Sequence, residues 1–113
     1  QGYVYIVGRK KEMVNVRGLN VYPREIEEVL YQNPKIKEAA VIGILDEHKG
    51  EIPKGFVVLK ENETATAHEL IQYLRERLAP FKIPKTIEFR ASLPKSATGK
   101  ILKRLLQDEE QRK

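Results

Sequence analysis

Apolar and polar positions alternate along the first part of the chain with the period of a β-strand. Residues 3–7 and residues 13–17 are two β-prone runs on either side of the charged turn 8–12. This spacing predicts a small hairpin or two consecutive short strands. Residues 18–22 are then predicted to form a loop.

Two helices are predicted from their ends and their apolar faces. Pro23 suits the first position of a helix, and Pro34 ends that helix because proline cannot continue it. Its predicted buried face consists of Ile26, Val29 and Leu30. A second helix follows Thr66, which forms a capping box with Glu69, and Pro80 stops it. The predicted buried face of the second helix consists of Leu70, Ile71, Leu74 and Leu78.

Within residues 36–44, the apolar run of residues 39–44 predicts a central strand that is buried on both faces. Residues 46–53 are polar, so we expect a loop there. A second core strand is predicted over residues 55–60 and a half-buried strand over residues 86–90. The order β-β-α-β-β-α-β-α describes an α+β fold: a small N-terminal β-hairpin, then a roughly three-stranded sheet with helices packed on it.

The last predicted helix follows a loop that contains Gly99 and Lys100. We expect Thr98 to cap this helix and an apolar stripe to anchor it. The stripe consists of Ile101, Leu102, Leu105 and Leu106. Lys100 then lies in the first helical turn, where its flexible ammonium group suits an anionic oxygen that must be bound and released. A lysine at such a place is most often a solvated surface charge, so the loop alone assigns no function.

Composition narrows the possible functions. The 113 residues are enough for one domain with a single modest core. The net charge of +5, from 21 basic and 16 acidic residues, favours a local site for anionic small molecules over wholesale coating of nucleic acid. The chain has no cysteine, and its two histidines are too few to build a zinc site. No apolar run is long enough to span a membrane and no signal-peptide pattern opens the chain, so we expect a soluble, cytoplasmic protein.

Three regions concentrate charge and flexible backbone: residues 8–12, residues 46–54, and residues 81–85 together with residues 95–100. A site for a polyanion needs converging cations and backbone donors, and two of these regions are rich in them. The sequence shows no serine-histidine-aspartate set and no phosphate-binding glycine loop followed by Lys-Ser or Lys-Thr. Periodicity and composition therefore lead only to a soluble α+β domain with a cationic rim.

Two long segments resemble motifs of the adenylate-forming enzymes, the superfamily of acyl-CoA synthetases, adenylation domains of peptide synthetases, and luciferases. Residues 8–27, GRKKEMVNVRGLNVYPREIE, are similar to the hinge segment and the loop that follows it, and residues 94–100, PKSATGK, are similar to the terminal lysine motif. Residues 41–46 with Gly50-Glu51, and residues 81–85, fall between them in the family's order and at its spacing. The resemblance spans nearly the whole chain.

This resemblance implies that the chain is the small C-terminal domain of such a ligase. Residues 1–12 correspond to the end of the large-domain boundary strand and the hinge, residues 13–113 correspond to the mobile lid domain, and the N-terminal domain that binds ATP and the acyl group is absent. In the family the acyl carboxylate attacks the α-phosphate of ATP to give acyl-AMP and pyrophosphate. The small domain then rotates, and the thiol of CoA attacks the adenylate. The resemblance implies that this chain alone is inactive.

The resemblance also implies roles for four residues. Lys100 matches the catalytic lysine that contacts the carboxylate and phosphate oxygens during adenylation, a role of charge stabilisation and orientation. Arg9 matches a nucleotide-binding arginine near the ribose and phosphates. Lys11 matches the hinge residue, which acts through its backbone torsion. Gly18 matches a glycine whose missing side chain lets its loop approach the pantetheine tunnel when the thioester forms.

Three further residues match contacts to the CoA nucleotide in some CoA ligases, namely Phe81, Lys82 and Lys85. The sequence departs from that pattern at Ile83, where some relatives have arginine, and at Lys49, where some have tryptophan. Core packing is the alternative interpretation of Phe81. No residue is predicted to bind a metal.

The implied ligands are ATP and Mg²⁺, both bound mainly by the absent domain, with CoA and a carboxylic acid; the implied protein partner is the enzyme's own large domain. Residues 16–23 look most like the fatty-acyl branch of the acyl-CoA synthetases. Two alternatives stay open: part of an adenylation domain that loads a carrier protein, or a basic α+β module that binds nucleic acid. The second depends only on net charge, and the five tyrosines do not fall on one alternating strand as an RNA-binding sheet requires. We therefore expect no nucleic-acid partner.

Overall fold

A computed structural model describes residues 13–46 and 50–112. The strands are β1 (Val14–Val16), β2 (Leu19–Val21), β3 (Ile36–Asp46), β4 (Gly50–Leu59) and β5 (Thr86–Phe89). The helices are α1 (Pro23–Tyr31), α2 (Ala67–Arg75) and α3 (Lys103–Gln111), with a 3-10 helix over Pro80–Lys82. The predicted α+β class is confirmed.

All five strands belong to one sheet, which is built on the long hairpin of β3 and β4. These strands pair antiparallel along their length, from Ile36 opposite Leu59 to Asp46 opposite Gly50. The other edge of β4 has two neighbours: β1 meets it through the pair Val16 and Gly50, and β5 runs parallel to it further along. The second run of the predicted hairpin, residues 13–17, and the predicted three-stranded sheet therefore belong to a single sheet.

The prediction of a loop over residues 18–22 is wrong, because Leu19–Val21 pairs antiparallel with β1. The turn between these strands consists of Arg17 and Gly18, whose φ angles are 52° and 85°. Two consecutive residues with positive φ form a mirror-image turn whose twist matches that of paired strands. Residues 3–7, the other arm of the predicted N-terminal hairpin, lie outside the described residues.

The prediction of a loop over residues 46–53 is wrong for most of its length, because β4 begins at Gly50. Two charged residues, Glu51 and Lys54, interrupt the apolar pattern here, so the sequence does not indicate a strand. Glu51 accepts a hydrogen bond from the backbone N–H of Asn15, and Lys54 forms ion pairs beneath α3. An interior strand can carry charges when each has a partner.

The first core cluster lies between the sheet and the pair α1 and α2. Ile26 and Leu30 of α1 and Leu70 and Leu74 of α2 are fully buried. The other predicted members of these faces pack against the cluster while partly buried: Val29, Ile71 and Leu78. The predicted apolar faces of both helices are confirmed.

The second core cluster lies between the sheet and α3. Leu106 of α3 is fully buried and packs with Phe56 of β4. In β3, Ile42 faces this cluster and Val41 faces the first, which confirms the predicted strand buried on both faces. The predicted burial of Leu105 is wrong, since 44% of this residue is exposed. Adjacent helical residues point about 100° apart, and Leu106 occupies the position that faces the sheet.

The start of α2 matches its prediction. Thr66 Oγ1 accepts a hydrogen bond of 3.1 Å from the backbone N–H of Glu69 and so caps the helix. Lys35 Nζ lies 2.9 Å from Glu69 Oε2. The hydrogen bond from Lys35, assisted by the cap, lowers the pKa of Glu69.

Candidate functional site

Lys100 lies in a compact turn of residues 95–101, which we call the lysine turn. Lys95 and Ile101 form an antiparallel bridge across its base. Gly99 has a φ of 89°, a conformation that glycine adopts without strain. The side chain of Lys100 is exposed and has no ion-pair partner within the described part of the chain. A fixed backbone therefore presents a free ammonium group.

The prediction that Thr98 caps α3 is wrong. The helix begins at Lys103, with Leu102 at its N-cap and no side-chain cap. Thr98 Oγ1 instead lies 2.9 Å from Ser96 Oγ, which also accepts bonds of 3.3 Å from the backbone N–H groups of Thr98 and Lys100. Ser96 thus closes the lysine turn from inside, and Lys100 lies before the helix rather than in its first turn.

Two ion pairs attach the lysine turn and the start of α3 to the rest of the domain. Lys95 Nζ lies 2.5 Å from Glu38 Oε2 in β3, and Lys103 Nζ lies 2.6 Å from Glu27 Oε2 in α1. Glu27 Oε2 also accepts a hydrogen bond of 2.8 Å from the backbone N–H of Val41. The side chains of both acids are mostly shielded from water, which strengthens their attraction to the lysines.

A group of charged side chains, which we call the charge network, holds the far end of α3 on the sheet. Lys54 Nζ lies 2.6 Å from Glu110 Oε2 and 3.0 Å from Glu88 Oε1. Arg90 pairs with Glu88 at 2.8 Å and also contacts Glu109. Burial raises the pKa of Glu88, but the hydrogen bonds from Lys54 and Arg90 outweigh burial, and the net pKa is lowered.

Gly18 lies at the tip of the hairpin of β1 and β2. Its N–H donates a hydrogen bond of 2.7 Å to Asn15 Oδ1, and the backbone N–H of Asn15 donates one of 2.8 Å to Glu51 Oε1. The first bond closes the tip of the hairpin, and the second joins the hairpin to β4. A β-carbon added to Gly18 would meet no atom within 4 Å, so its positive φ, rather than a close neighbour, requires glycine in this structure.

The lysine turn and the hairpin are attached at opposite ends of the strands β3 and β4. The lysine turn is held at Glu38, near the start of β3. The hairpin is held at Gly50, which pairs with Asp46 at the end of β3 and with Val16 of β1. Asp46 lies eight positions after Glu38 along β3, which corresponds to about 26 Å of strand.

Two of the predicted CoA contacts, Phe81 and Lys82, lie on the side of the hairpin. The 3-10 helix that contains Phe81 and Lys82 packs beside β2. Phe81 is partly buried against the first core cluster, which supports core packing as at least part of its role. Lys82 Nζ lies 2.9 Å from Glu25 Oε2 and 5.8 Å from the centre of the Phe81 ring, so it already has a partner.

Lys85 is exposed and lines an open pocket of about 560 Å³. Arg75 contributes a second cation, and the remaining lining is apolar: Ile71, Leu78, Pro80, Ile83 and Pro84. Neither cation has an ion-pair partner in residues 13–46 and 50–112. The pocket therefore combines an apolar floor with two uncompensated positive charges at its rim.

Arg9 and Lys11, the predicted nucleotide-binding and hinge residues, lie outside the described residues. Within residues 13–46 and 50–112, no three side chains of the metal-binding acidic, histidine or cysteine types converge. This part of the chain therefore does not fit Mg²⁺. None of the helices in the described ranges has the length and apolar character that crossing a membrane demands.

Glu38 and Arg75 lie outside the charged regions and motifs of the sequence, and Lys95 belongs to one of them without a role of its own. Glu38 carried one available signal, because it is an acidic residue directly before the apolar run of β3. Burial of such a group requires a charged or hydrogen-bonding partner. The sequence does not say that Lys95, far away along the chain, is that partner.

Comparison with known proteins gives a consistent result. Residues 25–100 match the model of the AMP-binding enzyme C-terminal domain family. Two curated relatives are the long-chain-fatty-acid–CoA ligases of Bacillus subtilis, 50% identical over 110 residues, and of Yersinia pestis, 51% identical over 109 residues. The matches cover 97% and 96% of this chain but 20% and 19% of those proteins. The chain thus spans about a fifth of the length of these relatives.

Solved structures agree. The chain resembles the Mycobacterium tuberculosis fatty acyl CoA synthetase with a TM-score of 0.81 and 42% identity, covering 88% of this chain and 20% of that one. It resembles apo MatB from Rhodopseudomonas palustris with a TM-score of 0.86 and 35% identity, covering 92% of this chain and 21% of that one. The resemblance stated from the sequence is confirmed: the chain belongs to the AMP-binding enzyme C-terminal domain family.

Proposed function

We propose that this chain is the C-terminal domain of an ATP-dependent ligase that joins a long-chain fatty acid to CoA. The family match and the names of the relatives support this proposal. The chain spans about a fifth of those relatives, so a large N-terminal domain supplies the remaining machinery and is the domain's protein partner. The substrates are a fatty acid, ATP and CoA.

In the first half-reaction Lys100 is the catalytic residue that this domain supplies. A carboxylate oxygen of the fatty acid attacks the α-phosphorus of ATP, the bond from that phosphorus to the pyrophosphate oxygen breaks, and acyl-AMP forms. The Lys100 ammonium lies between two anions that repel each other, and it stabilises and orients both. Its exposure and its lack of a competing ion pair within the described chain support this role.

In the second half-reaction the hairpin with Gly18 replaces the lysine turn at the active site. The CoA sulfur attacks the acyl carbon, the carbon–oxygen bond to AMP breaks, and the thioester forms. Phe81, Lys82 and Lys85 contact the CoA nucleotide, with Lys82 first leaving Glu25. The position of the 3-10 helix beside β2 supports this grouping, since it would bring the nucleotide and the pantetheine arm to one side of the domain.

The observation that carries the proposal is the attachment of the lysine turn and the hairpin about 26 Å apart along the strands. Attachment at opposite ends of these strands supports a domain that presents first the lysine turn and then the hairpin to the acyl group, by turning between the two half-reactions. Lys11 is the hinge for that rotation, and Arg9 binds the nucleotide at the domain junction.

The test replaces Lys100 by alanine in the full-length ligase. Acyl-AMP formation, followed by ATP–pyrophosphate exchange, is expected to fall by about 10²- to 10³-fold, because the charge that stabilises the transition state is lost. Thioester formation from supplied acyl-AMP should stay within about twofold. Lys60→Ala, which removes an exposed lysine from a turn after β4, is the control and should change neither step. Equal losses in both half-reactions would contradict the role given to Lys100.

A further inference from the structure

Glu38 is an acidic residue in a buried strand, and only one of its oxygens is satisfied. The neighbouring apolar residues Ala39 and Ala40 are buried, and 17% of the Glu38 side chain is exposed. Its Oε2 lies 2.5 Å from Lys95 Nζ. Its Oε1 is buried and has no hydrogen-bond partner among the described residues.

A buried carboxylate oxygen without a donor destabilises a fold. The burial of the Glu38 carboxylate therefore depends strongly on its ion pair with Lys95. Lys95 supplies the compensating charge. Removing one partner of a shielded pair leaves an uncompensated charge, whereas an exposed pair contributes little. The position of Lys95 is therefore constrained more tightly than that of an ordinary surface lysine.

Because Lys95 and Lys100 belong to the same hydrogen-bonded turn, fixing the position of Lys95 also fixes the backbone at Lys100. Lys95 bridges to Ile101 across the base of the turn. The next residue, Ser96, donates its backbone N–H to the Lys100 carbonyl oxygen at 2.8 Å, and the Leu102 N–H donates to the Pro94 carbonyl at 2.8 Å. A shift at Lys95 would move the backbone from which the Lys100 side chain projects.

The ion pair between Glu38 and Lys95 also gives Lys95 and Lys100 different roles. Lys95 and Lys100 lie in one short turn, and either ammonium could bind an anionic oxygen. Glu38 neutralises Lys95, while Lys100 has no ion-pair partner within the described part of the chain. Within the lysine turn, an incoming carboxylate or phosphate therefore meets the uncompensated charge of Lys100, at the position that Ser96 and Gly99 fix.

We propose that Glu38 is a positioning residue for Lys100: its ion pair with Lys95 holds the lysine turn on β3 and keeps Lys95 from competing for the substrate's oxygens. This inference rests on the proposed function, because it assigns Glu38 to the adenylation step. Its structural part, the holding of the turn, can be tested without catalysis.

The first measurement uses amide hydrogen exchange in the 113-residue chain. In Glu38→Gln, the amides of Ser96, Gly99 and Leu102 should exchange about tenfold faster, because a charge-assisted bond that holds the turn is lost. The amides of the β1–β2 hairpin should be unchanged. Unchanged exchange in the lysine turn, or equal acceleration in both regions, would overturn the proposal.

The second measurement uses the full-length ligase and follows both half-reactions. Glu38→Gln and Lys95→Met should each lower kcat for acyl-AMP formation about tenfold, while thioester formation from supplied acyl-AMP stays within about twofold. Lys95→Arg keeps the positive charge and should retain most of the activity. Glu69→Gln, which removes a more exposed ion pair on α2, is the control for the loss of an ion pair as such and should spare both steps.

The outcomes separate this inference from the proposed function. If Lys100→Ala lowers acyl-AMP formation but Glu38→Gln and Lys95→Met do not, the role of Glu38 is wrong and the proposed function stands. If Lys100→Ala has no effect on that step, the proposed function itself fails. If Glu38→Gln does not fold, Lys95→Met tests the role of the ion pair instead. If Lys95→Arg then loses as much acyl-AMP formation as Lys95→Met, the ion pair is not the cause and the role of Glu38 is wrong.

Discussion

The lysine turn and the β1–β2 hairpin are both tight turns with a glycine at positive φ, yet different forces attach them to the sheet. The hairpin is attached mainly by apolar packing, since Val14, Val16 and Val21 belong to the first core cluster. The lysine turn and the helix that follows it are attached by ion pairs and by the charge network, beside one modest apolar cluster.

Apolar packing is non-directional and insensitive to charge, whereas a shielded ion pair fixes two groups at one distance and one angle. The region that must place an ammonium group is thus held by directional bonds. The hairpin, which must present the backbone of Gly18 without a side chain, is held by packing. Because the forces differ, each region can be disturbed with little effect on the other, and three experiments exploit this difference.

The largest effect on folding is expected from Lys54→Met, which removes the central cation of the charge network. The Lys54 side chain is only 11% exposed, and its loss leaves Glu88 and Glu110 without their lysine partner. We expect the free energy of unfolding, measured with urea on this chain, to fall by about 3 kcal/mol. The change should be largest in the exchange of α3 amides and smallest in the hairpin.

The control for Lys54→Met is Arg24→Ala, which removes an ion pair whose side chains are 85% and 66% exposed. Such a pair contributes less than about 1 kcal/mol, so the unfolding midpoint should barely move. A loss of stability in Arg24→Ala as large as in Lys54→Met would mean that the burial of the charge network is not what gives it strength.

An intermediate effect is expected from alanine at the two glycines, Gly18→Ala and Gly99→Ala. Both have φ near +85° to +90°, and an added β-carbon would meet no atom within 4 Å, so each should cost only about 1 kcal/mol of stability. In the full-length ligase, Gly18→Ala should slow thioester formation about tenfold and Gly99→Ala should slow acyl-AMP formation about tenfold. Asn62→Ala, at a third residue with positive φ, should spare both steps.

The elements that the sequence predicts well are those whose signals are local. α1 and α2 carry their start signals and apolar faces within a few residues, and the structure confirms both. β2 escaped prediction because it has only three residues and because Arg17, the first residue of its turn, is not a typical residue for positive φ.

In the candidate site too, the residues with local sequence signals are predicted and those without them are not. The resemblance identifies Lys100 and Gly18 because their motifs are contiguous in the sequence. The residues that hold the lysine turn and α3 are not contiguous: Lys54 and Glu110 are 56 positions apart, and their pairing exists only after folding. A pattern analysis treats such residues as loop or surface charges, so the supports of a site are harder to predict than the site itself.

The smallest effect is expected from pH. Glu88 has an ordinary pKa of 4.5, and in the folded chain burial raises the pKa while the hydrogen bonds from Lys54 and Arg90 lower it more. A carboxyl group with a lowered folded pKa stabilises the fold above its unfolded pKa, and this contribution disappears as the pH falls through the folded pKa. Stability should therefore be flat near neutrality and decline below about pH 5.

The measurement compares urea unfolding of the natural chain and of Glu88→Gln at neutral pH and at about pH 3.5. The natural chain should lose more stability on acidification, because the glutamine variant has no charge to lose at this position. Amide exchange should show the loss first in α3, which the charge network holds, and later in the apolar hairpin. A hairpin that loosened before α3 in acid would reverse the assignment of charged and apolar attachment on which the comparison depends.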